Sequence, residues 1–182
     1  MDVAARYRNV AAGLSRRISE VPAGAWANPA PCEGWVARDV VRHLVEWVPS
    51  FLPAEAGVKM LPIPSVDDDP AAAWAALDAA LQAALDDAGV AQAEFDSRAG
   101  RHTVEGAIAM FILPDVLIHT WDLARAAGLD ETLDAQEVHD LFVGMQPYDE
   151  MLRQSGHYGP RVEVPADADE QTKLIAFTGR RP

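Results

Sequence analysis

The chain has 182 residues, 49% of them hydrophobic and 24% charged, which supports one domain with a sizeable buried core. Its 15 Lys and Arg against 28 Asp and Glu leave a formal net charge of −13, so its mean surface field repels phosphate backbones and anionic lipid and argues against nucleic acid as a partner. The single cysteine, Cys32, excludes an internal disulfide framework and a multi-cysteine zinc knuckle, so any metal has to be held by histidines and carboxylates.

The opening MDVAARYRNVAAGLSRR is charged and amphipathic without an apolar h-region, and no run approaches the roughly 18 uninterrupted apolar residues of a membrane span. A cytoplasmic protein with no membrane partner is expected. Alanine is abundant and Val and Ile form no convincing period-two run, which points to an all-α fold in a single domain over residues 1–182.

Apolar residues Val3, Tyr7, Val10, Leu14, Ile18 and Val21 trace one face of a first helix, ended by Pro22 and Gly24. The segment 21–35, VPAGAWANPAPCEGW, is too rich in Pro and Gly to be regular, yet its Trp26 and Trp35 need packing partners, so it reads as an ordered loop. A second helix runs from about Val36 to Leu52, with Val36, Val40, Leu44, Trp47 and Phe51 inward and His43 bordering that stripe. Asp69 as N-cap and Pro70 at the first helical position open a third helix, which keeps its stripe through Trp74, Leu77, Leu81 and Leu85 and ends near Gly89.

After a polar connection through Arg101, a fourth helix is predicted from Thr103 as N-cap to about Ala127, with Gly128 as its stop. Pro114 inside it lacks an N–H and crowds the carbonyl four residues back, so a kink is expected one turn before Asp115 and His119. Asp134 and Glu137 form a capping-box pattern for a fifth helix, with Leu133 and Val138 as its hydrophobic staple and a stripe continuing through Leu141, Met145, Tyr148 and Leu152. The tail holds one extended piece, RVEV, a last helical turn, EQTKLIAF, and an exposed basic GRRP. Four long helices with short extra elements and connections of uneven length suggest a bundle.

Asp115 and His119 stand four apart, so on a helix their side chains converge one turn above each other, which is chelating geometry. A divalent cation would satisfy both groups in a buried setting, and His43 qualifies best as the third ligand from a facing helix. The opposing reading is equally open on spacing: an Asp–His pair can hydrogen-bond to itself in a core, and His43 can be a satisfied interior residue. Asp122, one turn on from His119, either orients it through its ring N–H or pairs with Arg125 at i+3, the latter favoured. His102, His139 and His157 read as solvated, Trp47 and Trp121 as core packing, and Cys32 as an inert loop thiol with no base assignable to it.

PCEGWVARDVVRHLVEW, followed some seventy residues later by DVLIHTWDLARAAG, resembles the actinobacterial mycothiol-dependent maleylpyruvate isomerase N-terminal domain group, within the DinB-like superfamily of metal-binding four-helix bundles. The resemblance runs over nearly the whole chain, including the closing LIAFTGRRP. It implies a DinB-like four-helix bundle and a divalent metal, typically zinc, on His43, Asp115 and His119, where the isomerase has glutamate in place of Asp115. It further implies mycothiol or another low-molecular-weight thiol as co-substrate and a transferase or isomerase-like reaction on a small electrophilic molecule. Fe(II) or nickel also suits two histidines and a carboxylate. A metal- or small-molecule-binding protein without turnover is the alternative, and a homodimer is compatible with an exposed apolar flank.

Overall fold

The computed structural model describes residues 2–52, 56–97, 100–154, 156 and 158–182. Helix α1 (Val3–Glu20) begins where the Asp2 carboxylate accepts the Ala5 N–H, and it buries Tyr7, Val10, Ala11, Leu14 and Ile18 at the expected spacing. After a 3₁₀ turn at Ala23–Ala27, α2 (Ala37–Phe51) starts with the Asp39 carboxylate accepting the Val36 N–H at 2.9 Å. Its buried stripe is Val40, Val41, Leu44, Val45 and Val48. Trp47 and Phe51 are only half-buried, which corrects their predicted place in that stripe: they lie on the flank that carries His43.

Helix α3 (Pro70–Asp86) opens as predicted, with Asp69 accepting the Ala72 N–H and Pro70 where a missing donor costs nothing. It stops before the expected Gly89 because the Asp87 side chain accepts the Gly89 and Val90 N–H groups and starts the short α4 (Ala88–Ala91). The chain is not wholly helical: the polar connection folds into an antiparallel pair, β1 (Glu94–Ser97) with β2 (Gly100–Thr103), of which only Phe95 is buried.

Thr103 then caps α5 (Val104–Ala107), which continues through a π-helical turn, Ile108–Ile112, into α6 (Leu113–Ala127). The expected disturbance at Pro114 takes this form because Pro114 cannot donate to the Met110 carbonyl, and the Leu113 N–H reaches five residues back to Ile108. Gly128 closes α6 in the left-handed region at φ 69°, with the Leu129 N–H on the Ala124 carbonyl. The stretch Val104–Ala127 is long and apolar enough to cross a membrane by length and composition, yet 72% of an 18-residue window within it is buried inside the fold, as in a core helix.

α1 packs on α3 and α6, and α2 packs on the same two helices, so each of these four long helices has two of the others as neighbours. Between them Leu14, Leu44, Leu77, Leu81, Ile112 and Leu123 are fully buried, and truncating Leu44 to alanine is expected to cost about 2–5 kcal/mol. The fold is thus mostly helical with one short two-stranded sheet.

The C-terminal part departs further from expectation. Asp134 accepts the Gln136 and Glu137 N–H groups to start α7 (Ala135–Met145), but Glu137 does not complete the box; its carboxylate takes Arg6 of α1 in a two-pronged pair at 2.9 and 2.7 Å. Pro147 ends α7 early, and a 3₁₀ turn leads to α8 (Asp149–Gln154), leaving Tyr148 exposed instead of in the stripe. Among the described residues RVEV has no strand partner; its Val162 N–H bonds the Ala176 carbonyl. EQTKLIAF is helix α9 (Glu170–Phe177), which packs on α7.

Candidate metal centre

The spacing that puts Asp115 and His119 on one face of α6 and His43 on the flank of α2 brings all three together. His119 Nε2 lies 3.3 Å from Asp115 Oδ1, and His43 Nε2 lies 3.1 Å from Asp115 Oδ2. One donor atom from each residue falls within 4.8 Å of the others. His119 is buried, whereas the side chains of His43 and Asp115 keep 31% and 25% of their exposure, so the cluster opens to solvent on one side.

Two tryptophans shape it. Trp47, one turn after His43, donates its ring N–H to Asp115 Oδ2 at 2.8 Å. Trp35 stacks on His119 with ring centroids 5.7 Å apart and tilts against His43 at 5.1 Å. The loop that carries Trp35 is ordered, as expected: the Ala30 N–H bonds the Trp35 carbonyl, and Pro29 bridges Val36. The core-packing reading of Trp47 is therefore corrected, while Trp121 is buried as expected.

Behind His119 lies a second cluster. His119 Nδ1 is 2.8 Å from Asp122 Oδ2, and Arg180 grips the same carboxylate with Nε at 2.7 and 3.0 Å and Nη2 at 2.7 Å. Asp122 is fully buried and the Arg180 side chain only 12% exposed. This overturns the pairing of Asp122 with Arg125: Arg125 points to solvent, takes Glu131 at 2.7 Å and covers the Trp121 ring. It also corrects the exposed basic tail at Arg180, which is drawn inward by a buried carboxylate that needs a charge partner, while Arg181 and Pro182 are exposed as expected.

Cys32 belongs to this cluster as well, with Sγ 3.5 Å from both Asp122 Oδ2 and Arg180 Nη2, so it is not an isolated loop thiol. His102 is half-buried against Phe95 and Phe111, correcting its solvated assignment. His139 is exposed and paired with Glu170, and His157 lies outside the described residues.

Burial works against charge on Asp115, His119, Asp122 and Arg180, and their mutual contacts outweigh it. His119 and His43 hold the Asp115 carboxyl well below its ordinary range despite desolvation. His119, opposed by its burial, is nonetheless raised well above an ordinary histidine by Asp115, Asp122 and Cys32. Asp122 is likewise lowered by His119 and Arg180 against its desolvation, and Arg180 stays charged. Burial and the nearby Asp115 push the Tyr158 hydroxyl up.

Both clusters contain a set of residue types able to hold a metal. In Cys32, His119 and Asp122 the guanidinium of Arg180 already supplies the positive charge. In His43, Asp115 and His119 the ion-pair partners of Asp115 among the described residues are the two histidines, with no lysine or arginine. Two imidazole nitrogens and a carboxylate oxygen form a donor set that fits a divalent cation.

Trp47 was legible as a neighbour of His43 at i+4; Arg180, 58 residues from Asp122, carried no local signal. No curated protein and no solved structure matches the chain. The mycothiol maleylpyruvate isomerase N-terminal domain matches it over residues 7–124, spanning α2, most of α6 and every candidate donor, and its general kind of fold is DinB-like. The chain therefore belongs to the mycothiol maleylpyruvate isomerase N-terminal domain family.

Proposed function

We propose that the protein is a DinB-like four-helix bundle in which His43, Asp115 and His119 hold a divalent cation, zinc before nickel or Fe(II), and that it is a metal-dependent, thiol-using transferase or isomerase-like enzyme. The observation that carries this is the convergence of two imidazoles and one carboxylate within 4.8 Å, open to solvent on one side. Three protein donors leave a coordination position for an incoming ligand. A bound cation would lower the pKa of a thiol placed on it, supplying a thiolate near neutral pH. The family name makes mycothiol the first thiol to test and a small electrophile the substrate class.

The chain's own residues prepare this site. Asp122 accepts the His119 Nδ1–H and so aims Nε2 at Asp115 and His43. Trp47 fixes one oxygen of Asp115, and the Trp35 ring covers the face of His119 and limits water there. A second reading, metal or small-molecule binding without turnover, uses the same cluster. It is favoured by the engagement of the three donors with one another, which sets none of them aside as an acid or base for a substrate.

The 182 residues are read as one cytoplasmic domain acting on a small-molecule substrate, with neither nucleic acid nor membrane as partner, in line with the net charge of −13. Exposed Val143, Tyr148 and Met151 are where a homodimer would form. The test is metal analysis of untagged protein beside His43→Ala and His119→Ala, then turnover assays with mycothiol and electrophiles. One equivalent in wild type, lost in both variants, supports the site; no metal in wild type overturns it. Binding without thiol-dependent turnover favours the second reading.

A further inference from the structure

Arg180 lies outside the segment matched by the family, yet the fold goes to some length to place it. Gly179, two residues past the end of α9, adopts φ +88°, and a Cβ there would meet the Gly159 Cα at 2.8 Å, so only glycine fits this crossing without a shift. The Arg180 N–H then bonds the Ile175 carbonyl, and the side chain enters the protein to meet Asp122. Asp122 accepts from Nε and Nη2 of that guanidinium and from His119 Nδ1. A carboxylate without that guanidinium would be free to rotate, and the His119 ring would lose the fixed acceptor that orients it.

We infer that Arg180 is a positioning residue for the metal site: it clamps Asp122, and through Asp122 it sets the His119 ring with Nε2 toward Asp115 and His43. The inference rests on the metal reading proposed above and adds to it a control exerted by the C-terminal segment. Loss of an outer contact of this kind weakens metal affinity by roughly 10- to 100-fold.

The experiment compares wild type, Arg180→Lys, Arg180→Met and Gly179→Ala, with Arg17→Met as a control. Arg17 is another buried arginine, which ties α1 to the Asp130 and Thr132 carbonyls away from the site. Zn²⁺ affinity is measured by chelator competition, geometry by the visible absorption of the Co²⁺-loaded protein, and the metal-free protein by the downfield ring N–H proton resonance of His119. Arg180→Met and Gly179→Ala are expected to lose roughly 10- to 100-fold in affinity, to alter the Co²⁺ spectrum and to lose or shift the His119 resonance. Arg180→Lys should recover part of each, and Arg17→Met should destabilise the fold with affinity and spectra unchanged.

Affinity and His119 resonance unchanged in Arg180→Met, or changed only as much as in Arg17→Met, would overturn the positioning role while leaving the metal site standing. Wild type that binds no cation would overturn the metal reading and with it any control of affinity. The His119 resonance in the metal-free protein would then still decide whether Arg180 orients the ring.

Discussion

Asp115 and Asp122 sit two turns apart on α6 and meet the same imidazole from opposite sides, but their surroundings differ in kind. Asp122 is sealed, with a permanent guanidinium on both oxygens. Asp115 is a quarter exposed and is faced by two histidines and an indole N–H, none of which carries a fixed charge. The same residue type on the same helix therefore does two jobs. One carboxylate is neutralised by the chain itself, and the other depends on an exchangeable positive charge, a proton on His119 or a cation from solution. That asymmetry separates a structural ion pair from a binding site more clearly than burial or residue identity does.

The sharpest way to break the comparison is to remove each carboxylate in turn. Asp122→Ala strands Arg180 without its partner in a buried site and is expected to destabilise the metal-free protein by about 3–5 kcal/mol in denaturant titration. Asp115→Ala releases the half-buried His43 and Trp47, which can turn to water, and leaves His119 still paired with Asp122, so it should cost only about 1 kcal/mol without cation. Equal losses would show that the two carboxylates are equivalent structural groups. The next effect is smaller and runs the other way. Zn²⁺ at about a hundred times its Kd should stabilise wild type by about 2.7 kcal/mol, roughly 5–10 °C in melting temperature, and should leave Asp115→Ala unmoved.

How much of this was readable in advance follows the range of the interactions. The apolar spacing of α1 and α3, the caps at Asp69 and Thr103 and the stop at Gly128 are local, and they stand where they were expected. The convergence of Asp115 with His119 is set by one helical turn, and His43 reaches them because α2 packs on α6. The hairpin escaped notice because its two strands are four residues each, with a single buried side chain between them. The contact of Asp122 with His119 was one of two readings open on spacing, but the favoured pairing with Arg125 failed because a local partner at i+3 looks sufficient on a helix, whereas a buried carboxylate is matched by whichever cation the tertiary fold can deliver. Glu137 repeats the lesson, giving up its local cap for Arg6 of α1.

The finest test concerns the open carboxylate alone. Trp47 is half-buried, and it donates its ring N–H to Asp115 Oδ2 at 2.8 Å. Phenylalanine keeps the ring contacts with His43 and Phe51 but removes that donor. If Asp115 is a ligand, its orientation matters more than its solvation, so Trp47→Phe should lower Zn²⁺ affinity by about tenfold while shifting metal-free stability by about 1 kcal/mol or less. If Asp115 is only a hydrogen-bonded core group, the order reverses: stability falls and no cation affinity is there to lose. Isothermal titration with Zn²⁺ beside a thermal melt of the chelated protein separates the two, because the indole N–H can serve the carboxylate's position only if something else is waiting to use it.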